Sequence, residues 1–248
     1  MRVFVDPENI SEGTVTITDK NDIHHMLRVM RLKEGDAVDV SDKTEWEYSC
    51  RISETDSSYI KASVIKKERF MREPDIMIDI YQGIPKAGKM ETIVQKCVEL
   101  GADSIIPVWT ERTVVTDKGN FGKKIQRWQK VSDEAVKQCR RGKIPGIGEP
   151  LKMEELAGRI MKKTDGYDIV ILAFENEYGT TIKDCMEGLE KKPVHIAVII
   201  GPEGGISDRE AGMLKDAGAV PVSLGKTILR TETAGPAAVA MLMYALEL

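Results

Sequence analysis

Two glycine-bearing stretches near the carboxyl terminus carry the residue types that could do chemistry. One is Gly201-Pro202-Glu203-Gly204-Gly205; the other runs from Leu224 and Gly225 through Ile228 and Leu229 to Arg230, with Glu232 and Ala234 close behind. Each follows an apolar run that reads as a buried strand, His195 to Ile200 for the first and Ala219 to Ser223 for the second. Glycine adopts φ > 0 and lets backbone amides approach a ligand closely. Successive turns of this kind at the carboxyl ends of strands are how an open α/β sheet builds a ligand crevice. The alternative is a pair of tight turns that hold nothing. Glu203 lies between glycines whose buried amides need acceptors, which favours a structural carboxylate over a base. Arg230 and Glu232 flank the start of a last helix, and offer either a cation and a proton acceptor or halves of salt bridges.

The elements that must position these groups follow from periodicity. From Asp75 onward the pattern is strand, helix, strand: Ile76 to Tyr81, then Lys89 to Leu100 with Met90, Ile93, Val94, Cys97 and Val98 at helical spacing and Gly101 as the stop, then Ser104 to Val108. Such a unit implies parallel strands. Further helices are expected at about Lys123 to Arg140, Met153 to Lys162 and Thr180 to Leu189, with a strand at Asp168 to Phe174. Ser207 and Glu210 form a capping box that opens the helix after the first glycine turn. The final helix, from about Thr233 to Leu246, is apolar on nearly every face and must be covered by the core or by another subunit.

Residues 1–72 are β-rich, with strands expected at Arg2 to Val5, Thr14 to Thr18, Ala37 to Val40, Glu47 to Ile52 and Tyr59 to Lys66. This suits a small barrel. Asn21 or Asp22 can cap a short helix whose apolar side is Ile23, Met26, Leu27 and Met30. On its other side His24, His25, Arg28 and Arg31 could meet phosphate or base edges, or be a solvated face. The charged run Lys66 to Glu73, followed by Pro74, marks a linker, so the chain divides at 1–72 and 73–248.

A net charge of −4 speaks mildly against a nucleic-acid partner. Its distribution reverses that. Between Lys118 and Lys143 nine basic residues face two acidic ones, Asp133 and Glu134. On the expected helix, Ile125, Trp128, Val131, Ala135, Val136 and Cys139 recur as a buried stripe, while Lys123, Arg127, Lys130 and Lys137 continue into Arg140 and Arg141 on another face. A like-signed track of that length favours an RNA backbone over a merely solvated face.

Several function classes drop out. The 42% hydrophobic and 31% charged composition, with no bilayer-length apolar run and no signal-peptide pattern, describes a globular protein expected in the cytoplasm and not at a membrane. Cys50, Cys97, Cys139 and Cys185 are scattered without metal spacing, so no metal is expected, and Cys97 and Cys139 read as reduced core thiols. His195 reads as a packed or hydrogen-bonded core residue. Gly83 to Lys89 comes close to a phosphate-binding P-loop, but Met90 stands where that loop needs a hydroxyl for Mg²⁺. Lys86 and Lys89 are then read as residues at a helix start near RNA, or as surface.

Gly201-Pro-Glu-Gly-Gly205 followed about twenty residues on by the Leu224-Gly225, Ile228-Leu229-Arg230 and Glu232-Thr233-Ala234 pattern resembles the RsmE-type enzymes. These methylate uridine N3 in small-subunit (16S) ribosomal RNA and belong to the knotted SPOUT class of S-adenosylmethionine-dependent methyltransferases. Lys89-Met90-Glu91, Glu99-Leu100-Gly101, Ile105-Ile106-Pro107, Glu111-Arg112, Arg127 to Lys130 and Ile144-Pro145 extend the resemblance over essentially the whole chain, as do Arg2-Val3-Phe4, His25 and Arg28 to Leu32. It implies a PUA-like RNA-binding β-barrel domain ahead of a SPOUT-like, trefoil-knotted, parallel-sheet α/β domain, and a homodimer formed through the latter. For the cofactor, S-adenosylmethionine, it implies Ile200, Gly201, Pro202, Glu203, Gly204 and Gly205 from the first turn. Leu224, Gly225, Ile228 and Leu229 come from the second, the last two against adenine, with Leu172 and Ala234 closing the pocket. Uridine N3 is a poor nucleophile until its proton leaves, so a base or an anion-stabilising group is required. Arg230 is the expected stabiliser and Glu232 the candidate acceptor. Ribose 2′-O methylation, and a non-catalytic RNA-binding or ribosome-assembly factor, are the alternatives.

Overall fold

Alternation along the amino-terminal strands builds a sheet with one buried face: Val15 and Ile17, Val38 and Val40, Cys50 and Ile52, Ile60 and Ala62 all turn inward. The computed structural model describes residues 1–86, 88–116 and 119–247. It divides into two units, Met1–Glu73 with Val136–Ile144, and Pro74–Ala135 with Pro145 onward. In the first, strands β1 (Arg2–Phe4), β2 (Ile10–Ser11), β3 (Thr14–Ile17), β4 (Ala37–Ser41), β5 (Trp46–Thr55) and β6 (Ile60–Arg69) join in the order β1-β4-β5-β6-β3-β2. Only the β1–β4 pairing is parallel among them.

Three details depart from the pattern reading. Helix α1 (Lys20–His24) is capped by Asp19, not by Asn21 or Asp22; its carboxylate accepts from the amides of those two residues at 2.9 Å each. From His25 to Val29 the chain changes to π-helical bonding, and the wider turn rotates later side chains off the 3.6-residue stripe. Met30, expected on the apolar side, is therefore 48% exposed, whereas Ile23 and Met26 are buried. The first part of the charged run, Lys66 to Arg69, belongs to the end of β6. Arg69 and Lys67 lie opposite Trp46 and Tyr48 in the ladder, and Lys67 Nζ sits 4.2 Å from the Trp46 ring centroid.

The segment Val136–Ile144 is tied into the first unit by a buried ion pair. Arg141 Nη2 lies 2.9 Å from Glu73 Oε2, and Glu73 also accepts from the amides of Gly142 (2.7 Å) and Lys143 (3.1 Å).

Strands of the second unit are almost wholly apolar because both faces of their sheet are covered. They are β7 (Met77–Gly83), β8 (Ser104–Trp109), β9 (Gly146–Ile147), β10 (Leu151–Lys152), β11 (Ile169–Ala173), β12 (His195–Ile200) and β13 (Val220–Val222). Among the described residues every pairing is parallel, in the order β10-β8-β7-β12-β11-β13, with β9 beside β8. Between them run α2 (Lys89–Glu99), α3 (Phe121–Cys139), α4 (Met153–Lys162), α5 (Ile182–Glu187), α6 (Asp208–Ala217) and α7 (Thr231–Leu246). The expected capping box forms at α6: Ser207 Oγ accepts from Glu210 N at 3.2 Å, and Glu210 Oε2 accepts from Ser207 N at 3.1 Å. Helix α7 buries Ala234, Gly235, Ala238, Val239 and Leu242, but leaves Met241 and Tyr244 38% and 75% exposed within this chain. No helix of the described residues is long and apolar enough to cross a membrane.

Toward the amino ends of these strands lies a polar cluster centred on Asp79. Its carboxylate accepts from the hydroxyls of Ser104 and Tyr167, the latter at 2.9 Å, and lies 3.0 Å from His195 Nε2. Tyr167 in turn meets the Tyr81 hydroxyl at 2.9 Å. His195 is thus hydrogen-bonded at the edge of the core. Asp79→Ala strips three donors of a common acceptor and is expected to lower unfolding free energy by roughly 1–3 kcal/mol. An unchanged urea midpoint would show the cluster to be energetically neutral.

Candidate active site

The first glycine turn begins where β12 reaches the carboxyl edge of the sheet. Its path is set by close approaches that side chains would block. A Cβ on Gly83, at the end of neighbouring β7, would fall 2.5 Å from Pro202 Cδ. Gly205 has φ +70°, and a Cβ there would meet the Glu175 carboxylate at 2.5 Å. The turn is then fastened to the start of α7. Thr231 Oγ1 donates to the Gly201 carbonyl at 2.7 Å, and buried Gln82 donates to Thr231 Oγ1 at 2.9 Å and to the Gly83 carbonyl at 3.0 Å.

The second turn leaves β13, where Ser223 Oγ closes a local loop on the amide and carbonyl of Gly225 at 3.3 and 3.0 Å. Between the two turns a third loop, from Phe174 to Tyr178, leaves β11. The three loops and the first turn of α7 enclose a cleft of about 290 Å³, open on one side. Of the expected pocket residues, Ile200, Gly201, Pro202, Gly205, Leu224, Gly225, Ile228, Leu229 and Ala234 line it. Ile228 is 82% exposed at its rim.

Leu172, Glu203 and Gly204 are absent from its walls. Leu172 is fully buried on the core-facing side of β11, packed with Ile199 and Leu214; side chains alternate along a strand, so its neighbour Ala173 faces the cleft instead. Glu203 turns away and accepts from the Lys86 amide at 3.1 Å, while Lys89 Nζ lies 3.1 Å from Glu203 Oε1 and 3.1 Å from Glu232 Oε2. Lys89 is therefore neither free surface nor a phosphate ligand: it bridges the first turn to α7. Ala87 of that stretch lies outside the described residues.

This bridge gives Glu232, the expected proton acceptor, a cationic partner. Its own backbone amide, and then Lys89, hold its carboxyl below the usual range. Burial pushes the Glu203 carboxyl up, but its own amide, Lys89 and the Lys86 amide together outweigh that and leave it lowered. Hydrogen bonding to Glu203 and Glu232 raises Lys89. A carboxylate so held is ionised near neutrality, the form that can accept a proton. Arg230 is exposed and, among the described residues, makes no ion pair; its carbonyl accepts from the amides of Thr233 and Ala234, which fixes where its side chain begins.

Of the residues assigned to RNA, His25, Arg28 and Arg31 are exposed on the first unit. The α3 stripe is divided: Lys123, Arg127 and Lys130 belong to the second unit, Lys137 and Arg140 to the first, all exposed. Arg127 pairs with Glu91, and Lys137 lies 3.5 Å from Asp22. Arg141 corrects the reading outright, since at 4% exposure, with its guanidinium on Glu73, it cannot meet a phosphate. Lys118 lies outside the described residues. Pattern reading missed Glu175 and Tyr178 on the cleft wall and Gln82 beneath it; the available signal was their place at or just beyond the carboxyl ends of predicted strands.

The carboxyls of Glu203 and Glu232 fall below 4.5 on folding, so the stability they draw from Lys89 is complete above that pH and is lost as pH falls through their lowered values. Lys89→Met should therefore be less stable than wild type by a constant margin from about pH 6 to 8, the gap narrowing below about pH 4.5. Denaturant titrations across that range read it directly, and a gap independent of pH would refute the bridge.

Residues 72–243 match the model of the RNA methyltransferase domain family, and residues 17–65 that of the RNA methyltransferase PUA domain. The chain is 31% identical over 246 residues to a ribosomal RNA small subunit methyltransferase E of Synechocystis, covering 99% of this chain and 78% of the relative. It is 29% identical over 253 residues to the protein of that name from Bacillus subtilis, covering 100% and 97%. Its fold superimposes on the crystal structure of ribosomal RNA small subunit methyltransferase E from Neisseria gonorrhoeae bound to S-adenosyl methionine, with a TM-score of 0.82, 27% identity and coverage of 98% and 96%. With a PUA-like sheet ahead of a parallel α/β sheet whose carboxyl edge carries the cleft, the chain belongs to the ribosomal RNA small subunit methyltransferase E family of RNA methyltransferases.

Proposed function

We infer that this protein transfers a methyl group from S-adenosylmethionine to N3 of a uridine in 16S ribosomal RNA. The observation that carries the reading is the cleft: loops from three adjacent parallel strands, two of them glycine turns, beside an arginine that makes no ion pair among the described residues. The cofactor fits its chemistry. Backbone at Gly201, Gly205 and Gly225 offers close-approach hydrogen bonding, and Leu224, Ile228 and Leu229 offer apolar surface for a purine. When bound, S-adenosylmethionine supplies an electrophilic methyl carbon whose sulfur leaves as a neutral thioether, a displacement that calls for no metal.

The chain's own work is alignment and charge. The turns hold the reacting carbon still, and Thr231 and Gln82 keep the first turn in register with α7. The guanidinium of Arg230 stabilises the uridine anion left when N3 gives up its proton, for which Glu232 is the acceptor. Glu203, joined to Glu232 through Lys89, holds the turn in place. The PUA-like unit, with His25, Arg28 and Arg31, and the α3 cations Lys123, Arg127, Lys130, Lys137 and Arg140 carry RNA backbone, and the protein works in the cytoplasm. The trefoil knot of the SPOUT class belongs to the same reading, as does a homodimer that covers Met241 and Tyr244 of α7.

Mass mapping of nucleosides from small subunits, with and without the purified protein and cofactor, should show new N3-methyluridine. A new ribose methyl would redirect the acceptor, and no new methyl group would leave only an RNA-binding factor. Arg230→Ala is expected to cut turnover roughly 100-fold while donor affinity stays within about twofold. Sedimentation should show a dimer that Tyr244→Glu dissociates; a monomeric wild type would rule the dimer out.

A further inference from the structure

One carboxylate in the cleft has no partner within hydrogen-bond reach among the described residues. Glu175 is the second residue beyond β11 and lines the cleft beside Gly205. Its nearest cation, Arg112, lies 3.8 Å away and donates instead to the Gly204 carbonyl at 2.8 Å. Gly205 is what admits it, since a Cβ there would come within 2.5 Å of both Glu175 carboxylate oxygens. The other acid of the loop, Glu177, is already committed: it accepts from the amides of Gly179 at 2.8 Å and Thr180 at 3.2 Å. An ionised carboxylate has capacity for several donors and no donor of its own, so the open oxygens of Glu175 call for hydroxyl or N–H groups on a ligand.

Sheet order says which part of the ligand that is. Strand β11 is hydrogen-bonded between β12 on one side and β13 on the other, so the loop bearing Glu175 rises between the two glycine turns. A molecule stretched from one turn to the other lays its middle over that loop. In S-adenosylmethionine the middle is ribose, flanked by adenine and the methionyl arm, and ribose carries two adjacent hydroxyls. Two oxygens of a carboxylate match such a pair, the pairing by which an acidic residue reads ribose in dinucleotide-binding folds. We propose that Glu175 is the ribose-binding residue of this cleft, accepting hydrogen bonds from the 2′ and 3′ hydroxyls of the methyl donor. This rests on the methyl-transfer reading and adds a cofactor-binding residue to it.

Calorimetric titration tests the assignment without requiring turnover. The ligands are S-adenosylmethionine, S-adenosylhomocysteine and the 2′-deoxy form of the latter; the proteins are full-length wild type, Glu175→Gln and Glu175→Ala, each checked for an unchanged thermal midpoint without ligand. Losing hydrogen bonds to a charged group should weaken S-adenosylmethionine and S-adenosylhomocysteine roughly 10- to 100-fold in Glu175→Ala. Glu175→Gln, which keeps the shape and one acceptor oxygen, should lose less. The 2′-deoxy ligand should bind wild type more weakly than its parent and lose less than its parent in Glu175→Ala, because only the 3′ contact is left for the substitution to remove. Equal losses for the parent and 2′-deoxy ligands in both variants would overturn the proposal, as would full affinity in Glu175→Ala. Wild type that binds no S-adenosylmethionine would overturn the methyl-transfer reading with it, a result distinct from either of those.

Discussion

Backbone pairing of Ile169–Ala173 between His195–Ile200 and Val220–Val222 is the constraint on which the cleft depends. Because all three strands are parallel, their loops leave at one edge and converge whatever those loops contain. Burial on both faces keeps the strands apolar, so the chemistry is pushed into the loops. The register matters at the level of single residues. Leu172 pairs with Ile199 and Pro221 and points into the core, which leaves Ala173 and then Glu175 to face the ligand side.

Charge is distributed so that Arg230 stays available. Three groups that could have competed at the cleft margin, Lys89, Glu203 and Glu232, are ion-paired with one another. The carboxylates are held ionised and the ammonium protonated. Arg230 is left unpaired among the described residues, at a position anchored by the first turn of α7 and by the Thr231–Gly201 hydrogen bond. An always-charged guanidinium on a fixed backbone is suited to stabilising an anion that exists only briefly.

In the amino-terminal unit, polar residues have been recruited into structure where composition reads as surface. Lys67 and Arg69 extend β6 because Trp46 gives their cationic ends an aromatic face. Arg141 is consumed by Glu73, whose carboxylate also takes two backbone amides and so pins Val136–Ile144. The exposed Val29 and Met30, beside Arg28 and Arg31, come from the π-helical turn, which no 3.6-residue count anticipates.

The family resemblance carried by the two glycine turns named nine residues that line the cleft, while periodicity and end signals marked the secondary elements: the Ser207–Glu210 box opening α6, Gly101 ending the turn beyond α2, the bounds of α4 and β12, and the glycine turns themselves. These are local signals, written within a few residues of where they act. Tertiary structure decided what depends on partners distant in the chain: that Lys89 joins residues 203 and 232, that Arg141 is buried while Arg140 is not, and that Glu175 reaches Gly205 across thirty positions. A side chain's charge is visible in the sequence. Whether that charge is neutralised, buried or left for a ligand depends on what the fold brings within a few ångströms of it.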